Sequence, residues 1–246
     1  STGLKDNKFG LSIEQAREAY KIAAELTNLK IMGVDCHIGS QITEKDPYVE
    51  STIKLLNFVD SINEIDKTNF HIDLGGGIGI CYKDEEIPVL DDFFSSILRP
   101  IEEWSQKKSL KFPEIIFELG RSVVGPAGLI ICEVLALKNG DDKNDKNFIV
   151  VDAAMNDLMR PALYNAYHEI FPITNFQNSK SNVSWDIVGP ICETGDWLGK
   201  DRYIRTKPGE RLAIASAGAY GSSMASNYNS RTRPVEVLIK ESGYVK

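Results

Sequence analysis

Cysteine is scarce in this chain, and Cys36, Cys81, Cys132 and Cys192 show no C-x-x-C spacing. A disulfide-rich scaffold is thereby excluded, and reduced thiols in the cytoplasm are the expectation. No apolar run approaches the length of a bilayer span, which excludes a membrane-crossing helix. Positive charge is in deficit: 28 basic residues face 35 acidic ones, for a net charge of −7, and no basic stripe stands out. Bulk nucleic-acid binding is excluded on that ground. No secretory leader opens the sequence and no internal repeat runs through it. An initiator methionine is also lacking. Ser1-Thr2-Gly3-Leu4-Lys5 reads as the middle of a loop, so the chain is expected to be a piece of a longer protein.

What is present suffices for a core. The 246 residues, 42% of them hydrophobic, allow one large or two ordinary domains. Ser12 followed by Gln15 is a capping box, and Ile13, Ala16, Tyr20, Ala23 and Leu26 then recur at helical spacing. Residues 29–37 read as a buried strand. Asp46-Pro47 supplies a cap and an N-terminal proline for a helix reaching to about Ile65. A strand over 70–74, a helix over 92–107 bent at Arg99-Pro100 and a strand over 114–117 follow. Such alternation implies parallel strands joined by helical crossovers.

Three strands are too few for a (β/α)8 barrel, which has eight. Residues 1–122 are therefore read as the closing part of such a barrel. After Ser122 the texture changes to short strands with turn signals, expected at 129–138, 148–152, 185–188, 202–204, 211–216 and 235–239. A partly helical stretch over 155–169, a polar turn over 141–147 and a polar loop over 172–182 lie between them. Residues 123–246 are read as a β-barrel or β-sandwich domain. The fold class is α/β plus β.

Chemistry in a parallel barrel sits at the C-terminal strand ends, and here three successive strands end in functional residue types. The first gives His37 and Ser40, the second Gly75-Gly76-Gly77, the third Glu118, Gly120 and Arg121. Three glycines after a strand can form a phosphate cradle or a plain tight turn. They make a poor dinucleotide fingerprint, since no helix follows at once. His37 reads either as a satisfied loop histidine or as a ligand-facing ring. Glu118 and Arg121 read either as a structural ion pair or as a carboxylate and a bidentate cation at the barrel mouth. In the second domain Cys192 is either an inert thiol or a reactive one. Tyr220, between small residues, either caps a core or reaches a ligand. Arg160 and Tyr164 lie either at a site or on a solvated helix face.

Six motifs occur in the order seen in diaminopimelate decarboxylases, and the chain resembles that family over nearly its whole length. They are His37-Ile38-Gly39-Ser40-Gln41, Gly75-Gly76-Gly77, Glu118-Leu119-Gly120-Arg121, the stretch from Met155 to Tyr164, Cys192-Glu193-Thr194-Gly195-Asp196 and Ala217-Gly218-Ala219-Tyr220. The resemblance implies a pyridoxal 5′-phosphate enzyme with a (β/α)8 barrel and a C-terminal β domain, making L-lysine from meso-diaminopimelate. By that resemblance His37 would stack on the cofactor ring and Glu118 would pair with its pyridinium nitrogen. Ser40, Gly75, Gly76, Gly77 and the backbone near Gly120 would hold the phosphate, with Arg121 beside them. Arg121, Arg160 and Tyr164 would bind the distal end of the substrate, and Glu193 its ammonium. Cys192 would donate a proton, and Tyr220 would touch phosphate and substrate. Cys192 would come from the partner subunit, so the resemblance also implies a homodimer with shared sites.

Some positions depart from the family's pattern. Leu119 stands where proline is usual, which would loosen the loop that holds Glu118 and Arg121. Thr194 and Thr232 replace a usual serine and a usual proline. The lysine that tethers the cofactor, in a Tyr-x-x-Lys-Ala-Asn setting, has no counterpart here, so this chain alone is expected to be inactive. Ornithine or arginine decarboxylation on the same fold, a non-catalytic cofactor-binding protein and a sugar-phosphate enzyme are the competing readings.

Overall fold

In the computed structural model, which describes residues 8–142, 145–174, 180–241 and 243–245, the first helix begins where the capping chemistry places it. The chain divides into two units, Ser1–Val123 and Val124–Lys246. In the first, α1 spans Ile13–Glu25; Gln15 N donates to Ser12 Oγ at 3.2 Å and Ser12 N to Gln15 Oε1 at 2.9 Å. Ala16 and Tyr20 turn toward the core, where the Tyr20 hydroxyl donates to Gly33 O at 2.7 Å.

Strands β1 (Gly33–Asp35), β2 (His71–Asp73) and β3 (Glu114–Ile116) form one parallel sheet in that order. Helix α2 (Asp46–Ser61) and helix α3 (Leu90–Lys108) are the crossovers. This is the β/α arc expected from the alternating pattern. The strand expected over 29–37 is shorter as a paired element, because its only described neighbour, β2, is itself three residues long. The cap expected from Asp46 is not made: Lys45 occupies the cap position in a helical conformation, and Asp46 is the first helical residue. Lys45 Nζ instead pairs with Asp92 at 2.6 Å. Helix α2 also stops at Ser61, short of Ile65.

Pro100 lies inside α3, yet the helix continues to Lys108. A proline removes one backbone bond, but Ile97 and Ile101 on either side are both fully buried, and that packed face holds the helix together. The core beneath the sheet is built from Val34, Ile72, Tyr48, Val59, Phe93 and their neighbours. Tyr48 and Phe94 each meet Phe93 edge-on, with ring centroids 5.1 and 5.5 Å away.

The second unit follows a short helix α4 (Arg121–Val124). Strands β4 (Ile130–Lys138), β5 (Phe148–Val151), β6 (Ile170–Pro172), β7 (Lys180–Val188), β8 (Trp197–Ile204) and β9 (Arg211–Ile214) make a six-stranded sheet. Its order is β6-β9-β4-β5-β7-β8, antiparallel except for the parallel pair β5 and β7. The two end strands curl back toward each other: a Cβ on Gly199 of β8 would lie 2.9 Å from Ile170 Cδ1 of β6. In β4 the side chains of Cys132 and Val134 are buried while Ile131, Glu133 and Leu135 are exposed, as a two-residue period demands. Ile149, Ile187, Leu198, Leu212 and Ile214 complete this core.

Helix α5 (Arg160–Tyr164) and helix α6 (Gly221–Met224) are short, and β10 (Leu238–Lys240) pairs with β11 (Gly243–Val245). Strands β6 and β11 were not expected, each being too short to show a period. Strand β7 starts five residues before the expected Trp185, its polar half held by β8 with register shifts. The strand expected over 235–239 forms only from Leu238 onward. Residues 143–144 of the expected turn and 175–179 of the expected loop lie outside the described residues. No helix among the described residues is long and apolar enough to cross a membrane.

Phe93→Ala should leave a cavity under α2 and α3 and lower unfolding free energy by about 3–5 kcal/mol, read as a fall in denaturant midpoint.

Candidate active site at the strand ends

The three parallel strands deliver their last residues to one place. The ladder runs past the strands proper: Cys36 N donates to Asp73 O at 3.1 Å, Leu74 N to Ile116 O at 3.0 Å and Glu118 N to Gly75 O at 2.9 Å. The glycine turn is threaded between its neighbours. A Cβ on Gly75 would meet Cys36 O at 2.8 Å, and one on Gly76 would stand 2.2 Å from Glu118 O. One on Gly77 would stand 2.1 Å from Gly39 O. Gly75 and Gly77 also adopt positive φ, 67° and 94°. Each of the three glycines is thus required by backbone approach alone.

Their N–H groups are partly used from within. Gly75 N donates to Asp73 Oδ1 at 2.8 Å, and Gly76 N to His37 Nδ1 at 3.2 Å. The buried Tyr48 hydroxyl donates to Gly76 O at 2.9 Å, and burial pushes its pKa up to about 12, so it stays a donor at neutral pH. His37 is exposed beside this turn and Glu118 is exposed on its other side.

Charge concentrates here. Asp35, Asp73 and Glu118 bring carboxylate oxygens within 4.8 Å of one another. Burial, and then the neighbouring Asp73 and Glu118 charges, raise the Asp35 pKa above its ordinary value. Arg121 stands at the rim, donating from Nη1 to the Tyr82 hydroxyl at 2.6 Å and from Nη2 to Ser40 Oγ at 3.2 Å. Tyr82, buried under the guanidinium, was not singled out from the sequence. Its loop is held by Glu85, whose carboxylate accepts from Tyr82 N and Lys83 N at 2.9 and 2.8 Å. A Cβ on Gly120 would meet nothing within 4 Å, so the rim is open there.

The second unit groups its own candidates. Arg160 is 8% exposed, not on a solvated face; its guanidinium lies 6.0 Å from the Tyr220 ring centroid. Tyr164, four residues on, is exposed on α5. Tyr220 has φ 67°, an uncommon conformation for an aromatic residue, after a turn in which a Cβ on Gly218 would be 1.9 Å from Val124 O. Cys192 and Glu193 are exposed in the loop between β7 and β8. Buried Asp196 anchors that loop by accepting from Met155 N at 2.7 Å and Ile191 N at 2.8 Å. Glu193 accepts from the Tyr228 hydroxyl at 3.3 Å. Cys132, by contrast, is buried, and its thiol is pushed up to about 12, chiefly by that burial.

Asp35 generates a testable pH dependence. A carboxyl whose folded pKa is raised binds its proton more tightly in the native state. Stability therefore falls as pH rises from the unfolded value through the raised folded one. Asp35→Asn should flatten that fall and raise the melting temperature at neutral pH relative to wild type, in parallel thermal scans across acidic to neutral pH.

Comparison with known proteins gives these arrangements a family. A family model described as the pyridoxal binding domain of the pyridoxal-dependent decarboxylases matches residues 1–125. The diaminopimelate decarboxylase of Neisseria meningitidis serogroup A is 50% identical over 244 residues, covering 99% of this chain and 57% of that protein. The crystal structure of diaminopimelate decarboxylase from Methanocaldococcus jannaschii superposes with a TM-score of 0.88 at 39% identity, over 99% of this chain and 55% of that one. The Helicobacter pylori enzyme complexed with L-lysine gives 0.85 at 39% identity, over 100% and 58%. The chain spans a little over half the length of these relatives. It belongs to the pyridoxal-dependent decarboxylases, whose cofactor is pyridoxal 5′-phosphate.

Proposed function

We propose that the complete protein is a carboxy-lyase that converts meso-2,6-diaminopimelate to L-lysine and carbon dioxide. The observation that carries this reading is the 50% identity to a diaminopimelate decarboxylase through both units of the chain. The lysine complex of the Helicobacter pylori relative supports the product. A cytoplasmic location accords with a biosynthetic role and with four free thiols.

The donor set at the strand ends suits the cofactor. Three crowded carboxylates call for a cation, and a protonated ring nitrogen is one. When bound, the cofactor supplies an electron sink for the electron pair that carbon dioxide leaves behind. In this reading Glu118 holds the proton on the ring nitrogen, and His37 lies against the ring face. Ser40, Gly75, Gly76, Gly77 and Gly120 present hydroxyl and backbone donors to the phosphate. Arg121, positioned by Tyr82, adds a charge-assisted bond there and faces the substrate.

Arg160 and Tyr164, with Arg121, bind the carboxylate at the substrate's second amino-acid end, and Glu193 binds the ammonium. The Cys192 thiol delivers the proton that replaces the lost carboxylate, and Tyr220 reaches phosphate and substrate. Active sites shared across a homodimer bring Cys192 to the partner's strand ends. No Tyr-x-x-Lys-Ala-Asn stretch occurs in this chain, so the tethering lysine is assigned to the part of the relatives that it does not span.

The full-length protein should release carbon dioxide from meso-diaminopimelate and not from ornithine; equal turnover of ornithine would refute the substrate. Cys192→Ala should lower turnover about a hundredfold or more. Co-expressed Glu118→Gln and Cys192→Ala subunits should recover activity that neither has alone. Failure to complement would remove the shared site.

A further inference from the structure

We propose that His168 is a positioning residue that aims the Arg160 guanidinium at the substrate's second carboxylate. The proposal rests on the role given above to Arg160, and it concerns a residue that neither the motifs nor that reading uses.

His168 is fully buried just ahead of β6. Its Nδ1 lies 2.9 Å from Ala215 O, and its Nε2 lies 2.8 Å from Arg160 Nη1. A carbonyl oxygen can only accept and a guanidinium can only donate. Nδ1 therefore carries the hydrogen, and Nε2 offers its lone pair to Arg160. The ring is neutral and held in one tautomer.

Both ends of this relay are set by the sheet. Ala215 follows directly on β9, and its own N–H donates to Glu169 O at 2.8 Å. On the backbone side, Arg202 of β8 donates from Nη2 to His168 O at 2.8 Å, and its guanidinium lies 3.7 Å from the Tyr167 ring centroid. The His168 ring thus inherits its orientation from two strands and passes one acceptor to Arg160, the first residue of α5.

The neutral partner is the informative feature. A carboxylate in the place of His168 would orient the buried guanidinium equally well, but it would also cancel its charge. An imidazole fixes the direction of one of the five N–H donors and leaves the cation's attraction for an anion intact. A site that selects a substrate by a second carboxylate needs that combination.

The test uses the full-length holoenzyme with His168→Leu, His168→Gln and Arg160→Met. L-lysine and 1,5-diaminopentane serve as inhibitors that differ by one carboxylate. His168→Leu should raise the KM for meso-diaminopimelate and the inhibition constant of L-lysine about tenfold or more. The inhibition constant of 1,5-diaminopentane and the dissociation constant of pyridoxal 5′-phosphate should not move. His168→Gln, whose amide offers both a donor and an acceptor, should recover most of the loss. If the leucine variant does not fold, His168→Asn replaces it, being polar but too short to reach Arg160.

Parallel weakening of both inhibitors, or no change in either, would overturn the proposal. If Arg160→Met then still weakens L-lysine selectively, the reading of Arg160 survives without His168. If Arg160→Met leaves the two inhibitors in the same ratio, that reading falls, and this proposal with it.

Discussion

Parallel strands lie about 4.8 Å apart, and side chains at their ends usually keep the following turns from closing further. Here the turn after β2 passes between the ends of β1 and β3 so closely that three successive Cβ atoms would fall between 2.1 and 2.8 Å from neighbouring backbone oxygens. Glycine at 75, 76 and 77 removes those collisions. The removal lets Glu118 N bond Gly75 O, lets His37 accept from Gly76 N and sets Glu118 and His37 on opposite sides of one short turn. The triple glycine is first a packing device, and any hold on a phosphate is secondary to it.

That closeness has an electrostatic consequence. Asp35, Asp73 and Glu118 approach one another as like charges, and after burial their proximity adds to the rise in the Asp35 pKa. A cationic cofactor ring relieves such crowding, which ties the fold at this end to the chemistry proposed for it. In the second unit the matching problem is the burial of Arg160. There the guanidinium meets the His168 imidazole and the face of the Tyr220 ring.

The β/α arc was legible because its cues are local: the capping box at Ser12 and Gln15, the Asp46-Pro47 start and the apolar runs before His37, Gly75 and Glu118. The cap at Asp46 was misplaced by one residue: Lys45 holds the cap position in a helical conformation, and Asp46 begins the helix. Strand β6 and residue His168 were not legible. Their meaning lies in contacts with distant Ala215 and Arg202, and for His168 also with Arg160 eight residues away, none of which a residue pattern reveals. Tyr82 was missed for the same reason, its partner Arg121 being 39 residues away. The glycines were legible as a turn or a phosphate cradle, but the backbone crowding that requires them depends on Cys36, Gly39 and Glu118, distant in sequence.

The central claim is that the strand ends hold a protonated cofactor ring through the Glu118 carboxylate. Nitrogen-15 NMR of the full-length protein loaded with ring-labelled pyridoxal 5′-phosphate tests it directly. The account predicts a protonated ring nitrogen in the wild type and a deprotonated one in Glu118→Gln at the same pH. A ring nitrogen already deprotonated in the wild type, or one indifferent to the substitution, would contradict it.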